Sequence, residues 1–560
     1  MVDNTALYSA LAELQVVDRK LLDEVWEEAR ESGDPLSELL LERDLISDEN
    51  LGLLVADMLK IPFVRLEKNV LNREVLQIIP EEMARARRCL IFKVDNEGTH
   101  IAMEDPTDLV TISLLKNKIP GPIKIYYATE RDIKFALFAY RREASEVFEE
   151  MINRHVGEAK SQPEPEAPII RIVEMMIIYA YQSRASDIHI EPYEDYIQVR
   201  FRVDGVLQDV IRLPLDLLNQ IISRIKIMSS LPTDEHSMAL DGKFVFMVPD
   251  VEDVDVRVSI IPSTTGERIV MRLLAGNMRQ YALLDLGFSD EDIKKVREAY
   301  SKPYGMLLST GPTGSGKTTT MYAFIKILNR RNVNIMTIED PVEYQMRGVN
   351  QIQVNSKTNL TFAAGLKSIV RQDPNIILVG EIRDEETANI AVNAALTGHL
   401  VLSTLHTNDA ATTIPRLLEM KVEPFLVASS VNMIVAQRLV RKICTSCRVS
   451  KIINLGDLIT EFPEQEVVQH LEKEAEGMRV YYGKGCGVCR HTGYVGRIGI
   501  FEVMPVTEEI RKAIVEKSDA EKIKKIAVAE GMQTMLENGL DKVKLGLTTV
   551  DELLRVIKGS

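Results

Sequence analysis

Gly311-Pro312-Thr313-Gly314-Ser315-Gly316-Lys317-Thr318 follows directly on the apolar run Gly305-Met306-Leu307-Leu308-Ser309. The order predicts a strand, a glycine loop, and a helix opening at Thr319 and running on through Thr320, Met321, Tyr322, Ala323, Phe324 and Ile325. Glycine allows backbone N–H groups to turn inward and approach phosphate oxygens. The helix start adds its positive dipole end. In this setting Lys317 is expected to reach the β- and γ-phosphates and Thr318 to ligate Mg²⁺, with Gly311–Thr319 as the ATP-binding segment. Such a string arises by chance in roughly 2% of chains this long. The strand before it and the carboxylates after it lower that figure, so the chain is read as binding a nucleoside triphosphate.

The 560 residues are enough for several domains. Asp and Glu outnumber Lys and Arg, 83 to 68, for a net charge of −15, which argues against nucleic acid as the substrate. No apolar run has bilayer-spanning length, and Met1–Leu14 has no basic-then-apolar leader pattern, so a cytoplasmic location is expected, with membrane contact made through partners. Five cysteines do not suggest a disulfide scaffold.

Residues 1–60 read as amphipathic helices in two related pairs, the second helix of each opening near Asp18 or Ser47 as N-cap. Residues 61–150 read as mixed, with Ile61-Pro62-Phe63-Val64 extended and strands at Cys89–Val94 and Thr99–Met103. The acidic, proline-rich run Gly157–Pro168 lacks apolar bulk, and 151–168 is expected to be a linker. A second α/β domain is expected over 169–290, with a helix at Ile169–Gln182 and a strand at Ile197–Val203 turning at Asp204-Gly205. The nucleotide domain is expected over 291–440, a cysteine-bearing element over 441–500 and a helical segment over 501–560.

Downstream of the loop, Ile335-Met336-Thr337-Ile338 leads into Glu339, Asp340 and Glu343, and Ile376-Ile377-Leu378-Val379-Gly380 leads into Glu381. Parallel sheets gather catalytic side chains at the carboxyl ends of their strands, which would set Glu381 to hold or polarise the attacking water. The competing reading is a solvated loop acid. His399 and His406 flank a third apolar strand, and together they suit a γ-phosphate sensor. Isolated histidines are otherwise structural more often than catalytic.

Arg371-Gln372-Asp373-Pro374 and Gly380-Glu381-Ile382-Arg383-Asp384 complete a series with the glycine loop, Thr337–Glu343 and Thr397–Asp409. In this order they resemble the Walker A motif, Asp box, atypical Walker B and His box of the secretion ATPases of type II secretion and type IV pilus machines. The resemblance covers 169–560 densely. It implies an α/β fold: a RecA-like phosphate-loop core preceded by a PAS-like α/β domain, a mostly helical and mixed amino-terminal region, and a tetracysteine zinc element. It implies ATP, Mg²⁺ and Zn²⁺ as cofactors and a hexamer that couples hydrolysis to assembly of a pilus or pseudopilus. By the resemblance the catalytic residues would be Lys317 on the phosphates, Glu381 on the attacking water, His406 as γ-phosphate sensor and Glu343 among the Asp-box acids, and Thr318, Glu339 and Asp340 would hold the magnesium. Ala185–Pro192 and Val199–Gly205 are similar to the family's PAS-like strands, and Val254–Ser259 and Gly266–Leu274 to those carrying its phosphate-contacting arginines, here Arg257 and Arg272. Their guanidiniums would meet charge spreading over the γ-phosphoryl oxygens. Without the resemblance, the alternation of arginine and apolar residues is the pattern of an exposed strand face.

Cys444-x2-Cys447 and Cys486-x2-Cys489 stand 38 residues apart. Two such knuckles fit tetrahedral structural zinc, and the resembled family has a four-cysteine zinc element here; a redox pair is the other reading. The amino-terminal region resembles the family's docking region for an inner-membrane platform protein and the cytoplasmic domain of a membrane-anchored component. Some relatives bind cyclic di-GMP there through paired Arg-Leu-Gly-x-x-Leu…Gly-x-Ile motifs. Pro35–Ile46 keeps that apolar frame but lacks the arginine and both glycines, so the scaffold is expected while cyclic di-GMP binding stays open. An adaptor with little turnover and a retraction or conjugation motor are the other function classes.

Overall fold

The computed structural model describes all residues except 1–2, 15–16, 18, 34, 43–44, 47, 67–72, 138–143, 162–165, 249–252, 275–281, 454–461, 463–477 and 559–560. The chain divides into two compact units, the first made of Met1–Leu41 with Leu45–Arg279 and the second containing Gln280–Ser560.

In the first unit, helices Asn4–Leu14, Arg19–Ser32, Leu36–Glu42 and Asp48–Leu59 form the two expected pairs. Leu11, Leu22, Val25, Leu36, Leu40 and Val55 make their shared core. The expected caps Asp18 and Ser47 lie outside the described residues. Next comes a three-stranded sheet of β1 (Cys89–Asp95), β2 (Gly98–Met103) and β3 (Ile123–Tyr127). Arg65 lies between Asp48 at 3.6 Å and Asp132 at 3.4 Å, tying the fourth helix to the helix Glu130–Leu137.

The expected linker is shorter than its composition suggests. A helix occupies Ala144–Ser161 and another Glu166–Gln182, so 151–161 and 166–168 are helical. Phe148, Ile152 and Val156, spaced by four, put one face of the first helix onto the next domain's core, and Phe148 stacks on Tyr179 at 4.4 Å. That core lies under a fully antiparallel six-stranded sheet of β4 (Ala185–Pro192), β5 (Tyr196–Val203), β6 (Val206–Pro214), β7 (Leu240–Met247), β8 (Asp253–Ser263) and β9 (Gly266–Leu274), ordered β6-β5-β4-β9-β8-β7. Asp204 and Gly205 both have positive φ (50° and 84°), as a tight two-residue hairpin turn requires.

The second unit begins at Gln280, ahead of the expected 291. Its seven-stranded sheet comprises β10 (Gly305–Thr310), β11 (Ile335–Glu339), β12 (Val349–Gln353), β13 (Ile376–Val379), β14 (Leu400–Leu405), β15 (Val431–Ile443) and β18 (Tyr494–Pro505), with a separate hairpin of β16 (Arg448–Ile453) and β17 (Met478–Gly483). The order is β12-β11-β13-β14-β10-β15-β18, parallel throughout except for β18. Because side chains alternate along a strand, Leu307, Leu378 and Leu402 enter the core on one face, and Leu308, Val379 and Val401 the core on the other.

Two expected boundaries fall inside strands: 440/441 cuts β15, and 500/501 cuts β18, leaving 501–505 as strand rather than helix. The cysteine element therefore sits at the far end of the β15–β18 pair. The carboxyl-terminal helices are anchored to the same pair. Glu552 on the helix Val550–Lys558 accepts from the Arg441 backbone N–H at 3.1 Å, and its carboxylate also binds the guanidiniums of Arg441 and Arg555. Burial raises the Glu552 carboxyl, but these donors outweigh it and bring its pKa down to about 2, from an ordinary 4.5. The stability so gained is present above pH 4.5 and lost as pH falls through 2. Glu552→Gln should cost on the order of 3 kcal/mol at pH 7, and denaturant titrations from pH 7 downward should show the difference closing below pH 4.5.

Candidate functional site

The phosphate loop joins β10 to the helix Lys317–Leu328. Gly311, Gly314 and Gly316 have φ of 147°, 79° and 92°, in the region that side chains avoid. A Cβ on Gly311 would stand 2.5 Å from the Gln437 carbonyl oxygen and 2.6 Å from Ser315 Oγ. Gln437, buried on β15, also holds the loop with its side chain. Its Nε2 donates to the Ser315 carbonyl at 2.8 Å, and its Oε1 accepts from Ser309 Oγ at 3.2 Å. No motif or periodicity pointed to Gln437. Its contact with the loop comes from pairing of β15 beside β10.

Lys317 Nζ donates to the carbonyls of Gly311 (2.8 Å) and Pro312 (3.2 Å). Burial brings its pKa down to about 8, against the nearby Glu381 carboxylate. Pro312, Thr313, Gly314 and Thr318 are exposed around the loop. Ser315 Oγ is buried without a hydrogen-bond partner among the described residues. An inward-turning loop with an orphan hydroxyl and a buried ammonium fits a polyphosphate.

Parallel pairing puts the carboxyl ends of β10, β11, β13 and β14 on one edge of the sheet. Glu381 stands just beyond β13. Its side chain is 13% exposed, paired with Arg383 and 3.2 Å from His406 Nε2. The backbone on either side is pinned to β14: Thr404 Oγ1 donates to the Gly380 carbonyl at 2.7 Å, and Ile382 N–H to the Thr404 carbonyl at 3.0 Å. Thr310 at the end of β10 meets Thr407 through hydroxyls 2.6 Å apart, joining the phosphate loop to the loop carrying His406.

His399 is not part of this group. It precedes β14, on the opposite edge of the sheet, with Nδ1 2.9 Å from the Ala394 carbonyl at a helix end. Glu339 is also set apart from the other acids. It is 3% exposed, and its carboxylate accepts from Tyr322, Thr337 (2.5 Å) and Gln351 (3.3 Å). Burial pushes its pKa up. Asp340 is exposed and Glu343 half-buried on the loop that follows.

In the first unit, Arg257 on β8 and Arg272 on β9 are direct cross-strand partners, so both guanidiniums share one face of the six-stranded sheet. Arg272 Nε donates to the buried Asp187 at 3.0 Å and the side chain remains 59% exposed.

The four cysteines converge. Cys444 Sγ lies 3.8 Å from Cys486 Sγ, Cys447 Sγ 3.8 Å from Cys489 Sγ, and Cys486 Sγ 3.7 Å from Cys489 Sγ. A tetrahedral ion with metal–sulfur bonds of about 2.3 Å has sulfur–sulfur edges of about 3.8 Å. Backbone N–H groups of Cys486 and Gly493 donate to Cys489 Sγ at 3.1 and 3.2 Å. Most of the segment between the two pairs, 454–461 and 463–477, lies outside the described residues.

An acid held by a histidine on the phosphate-loop edge of a parallel sheet defines the second unit as a phosphate-loop nucleoside triphosphatase. Residues 162–555 match the profile of the family described as type II/IV secretion system protein, and the chain belongs to that family. Residues 59–147 match the MshEN domain. The chain is 38% identical over 545 residues to the type IV pilus assembly ATPase PilB of Myxococcus xanthus, covering 94% of each. It is 40% identical over 504 residues to the type II secretion system protein E of Pectobacterium carotovorum subsp. carotovorum, covering 87% of this chain and 98% of that one. Among solved structures, the Yersinia pseudotuberculosis ATPase DotB shares the fold, with a TM-score of 0.51 at 20% identity over 70% of this chain and 94% of that one.

The thiol cluster generates a direct test. Four thiolates close a coordination shell, so a bound ion is structural. Elemental analysis should find one such ion per chain. Cys486→Ser should lower that ratio toward zero and open the knuckle to proteolysis, while nucleotide binding at Lys317 persists.

Proposed function

We propose that this chain is an ATPase working as a hexameric ring that couples ATP hydrolysis to assembly of a type IV pilus or a type II secretion pseudopilus. Glu381 carries the reading: an acid fixed beyond β13, bonded to His406 and close enough to Lys317 to act on its charge. The membership of its family and its 38–40% identity to a type IV pilus assembly ATPase and a type II secretion system protein E support the coupling. The sheet order of the second unit supports a RecA-like core, and the antiparallel sheet of the first supports a PAS-like domain.

In this reading Gly311–Thr319 wraps the phosphates, and Lys317 leaves its two loop carbonyls for the phosphate oxygens. Thr318 and the acids after β11 would hold magnesium, which would supply neutralisation of phosphate charge. Asp340 and Glu343 are the outward acids of that group, and Glu339 supports them from behind. Glu381 accepts the proton of the attacking water, and His406 holds its second carboxylate oxygen. Arg257 and Arg272 are the guanidiniums proposed for the transition-state charge. The four cysteines hold zinc.

No helix among the described residues is long and apolar enough to cross a membrane. Work at the inner face of the inner membrane is assigned to partners on the ground of family membership: an inner-membrane platform protein and the cytoplasmic domain of a membrane-anchored component, docked on the amino-terminal region. Nucleic acid has no part in this function, and cyclic di-GMP is not assigned a site.

Glu381→Gln should retain ATP binding and lose about a hundredfold or more in turnover, since the amide cannot take the water's proton. Lys317→Ala should weaken ATP binding itself. Parallel binding isotherms and phosphate-release assays separate the two, and full turnover by the Glu381 variant removes it from the chemistry. Arg257→Ala and Arg272→Ala should each lower kcat, by up to about a thousandfold, more than ATP affinity. Unchanged kcat with an unfolded first unit would instead mark both as strand-face residues.

A further inference from the structure

Tyr322 belongs to the helix that leaves the phosphate loop, five residues beyond Lys317. It is 1% exposed, with its ring edge-on to Tyr344 at 4.7 Å. A tyrosine buried in this way needs only its ring for packing, yet its hydroxyl uses its full hydrogen-bonding capacity, one donor and two acceptor positions. It donates to Glu339 Oε2, and it accepts from the Glu343 backbone N–H at 3.3 Å and from Gln351 Nε2 at 3.4 Å.

Those bonds bear on one loop. The segment after β11 carries Asp340 and Glu343, and Tyr322 fixes it at the Glu343 N–H. Gln351 fixes it again, donating to the Tyr344 carbonyl at 3.1 Å and accepting from the Met346 N–H at 2.7 Å. Gln351 also reaches Glu339 Oε1, which Thr337 meets as well. Tyr322, Glu339 and Gln351 thus form a closed triangle, buried at the first two and half-buried at Gln351, and the acid loop hangs from two of its corners. Only the tyrosine corner is rigidly joined to the helix that starts at the phosphate loop.

We infer that Tyr322 is a positioning residue for the hydrolysis reaction, holding the loop of Asp340 and Glu343 in register with the phosphate loop through its hydroxyl. The inference rests on the proposed reading that these acids serve the nucleotide and its metal. It also gives Glu339 a task other than ligation, as the buried acceptor that aims the tyrosine.

The test is Tyr322→Phe in the full chain, which keeps the ring and deletes the three bonds. Displacing a reacting group by about 1 Å costs up to about a hundredfold in rate. The expected result is a kcat ten- to a hundredfold lower with ATP affinity in EDTA within about twofold of the parent, and a severalfold higher Mg²⁺ concentration at half-maximal activity. Glu343→Gln is measured alongside and should be at least as impaired. A Tyr322→Phe kcat within twofold of the parent, beside an inactive Glu343→Gln, overturns the positioning role alone. Equal loss of kcat, ATP affinity and melting temperature in Tyr322→Phe also overturns it, in favour of a packing role. Full turnover by Glu343→Gln overturns the reading of the acids on which the inference stands.

Discussion

One buried amide sets the geometry of the second unit. Gln437 bonds the last turn of β10 through Ser309 and the end of the phosphate loop through Ser315, so the loop is gripped at both ends from a neighbouring strand. The same residue's backbone carbonyl fills the space where a side chain on Gly311 would stand. An amide that leaves its partners unpaired in a dry interior costs about 1–3 kcal/mol per group, which makes the close approach of β15 to β10 part of the loop's own conformation. Once β10 is placed, parallel pairing carries Glu381 and His406 to the same edge without further instruction.

Much of this was legible in the chain because it is encoded locally. The glycine loop, the apolar runs of β11, β13 and β14, and the paired cysteines depend on residues within a few positions of one another. The two histidines, by contrast, read as one sensor pair, and the direction of β14 separates them: in a parallel sheet the residue before a strand lies on the edge away from the phosphates, as His399 does.

The parts that composition misread are nonlocal. Phe148, Ile152 and Val156 form an apolar stripe, but the proline-rich, acidic run that follows dominates any window drawn across them. The boundaries at 440 and 500 failed because β15 and β18 pair across the whole cysteine element, a contact that neither strand announces. Glu339 looked like one of three equivalent carboxylates. What separates it is Tyr322, a residue whose apolar neighbours make it read as one more core position of an ordinary helix.

β15 runs thirteen residues, hydrogen-bonded to β10 over Val431–Ala436 and to β18 over Met433–Ile443. Beyond Ala436 the pairing with β18 alone fixes its register, since a shift of one residue would turn its buried side chains the wrong way. Gln437 lies near its middle and Cys444 just past its end, about 23 Å apart at 3.3 Å per residue. β15 is in effect a fixed ruler between the grip on the phosphates and the sulfur knuckle, and the two ends keep one spacing whichever way the unit as a whole is turned.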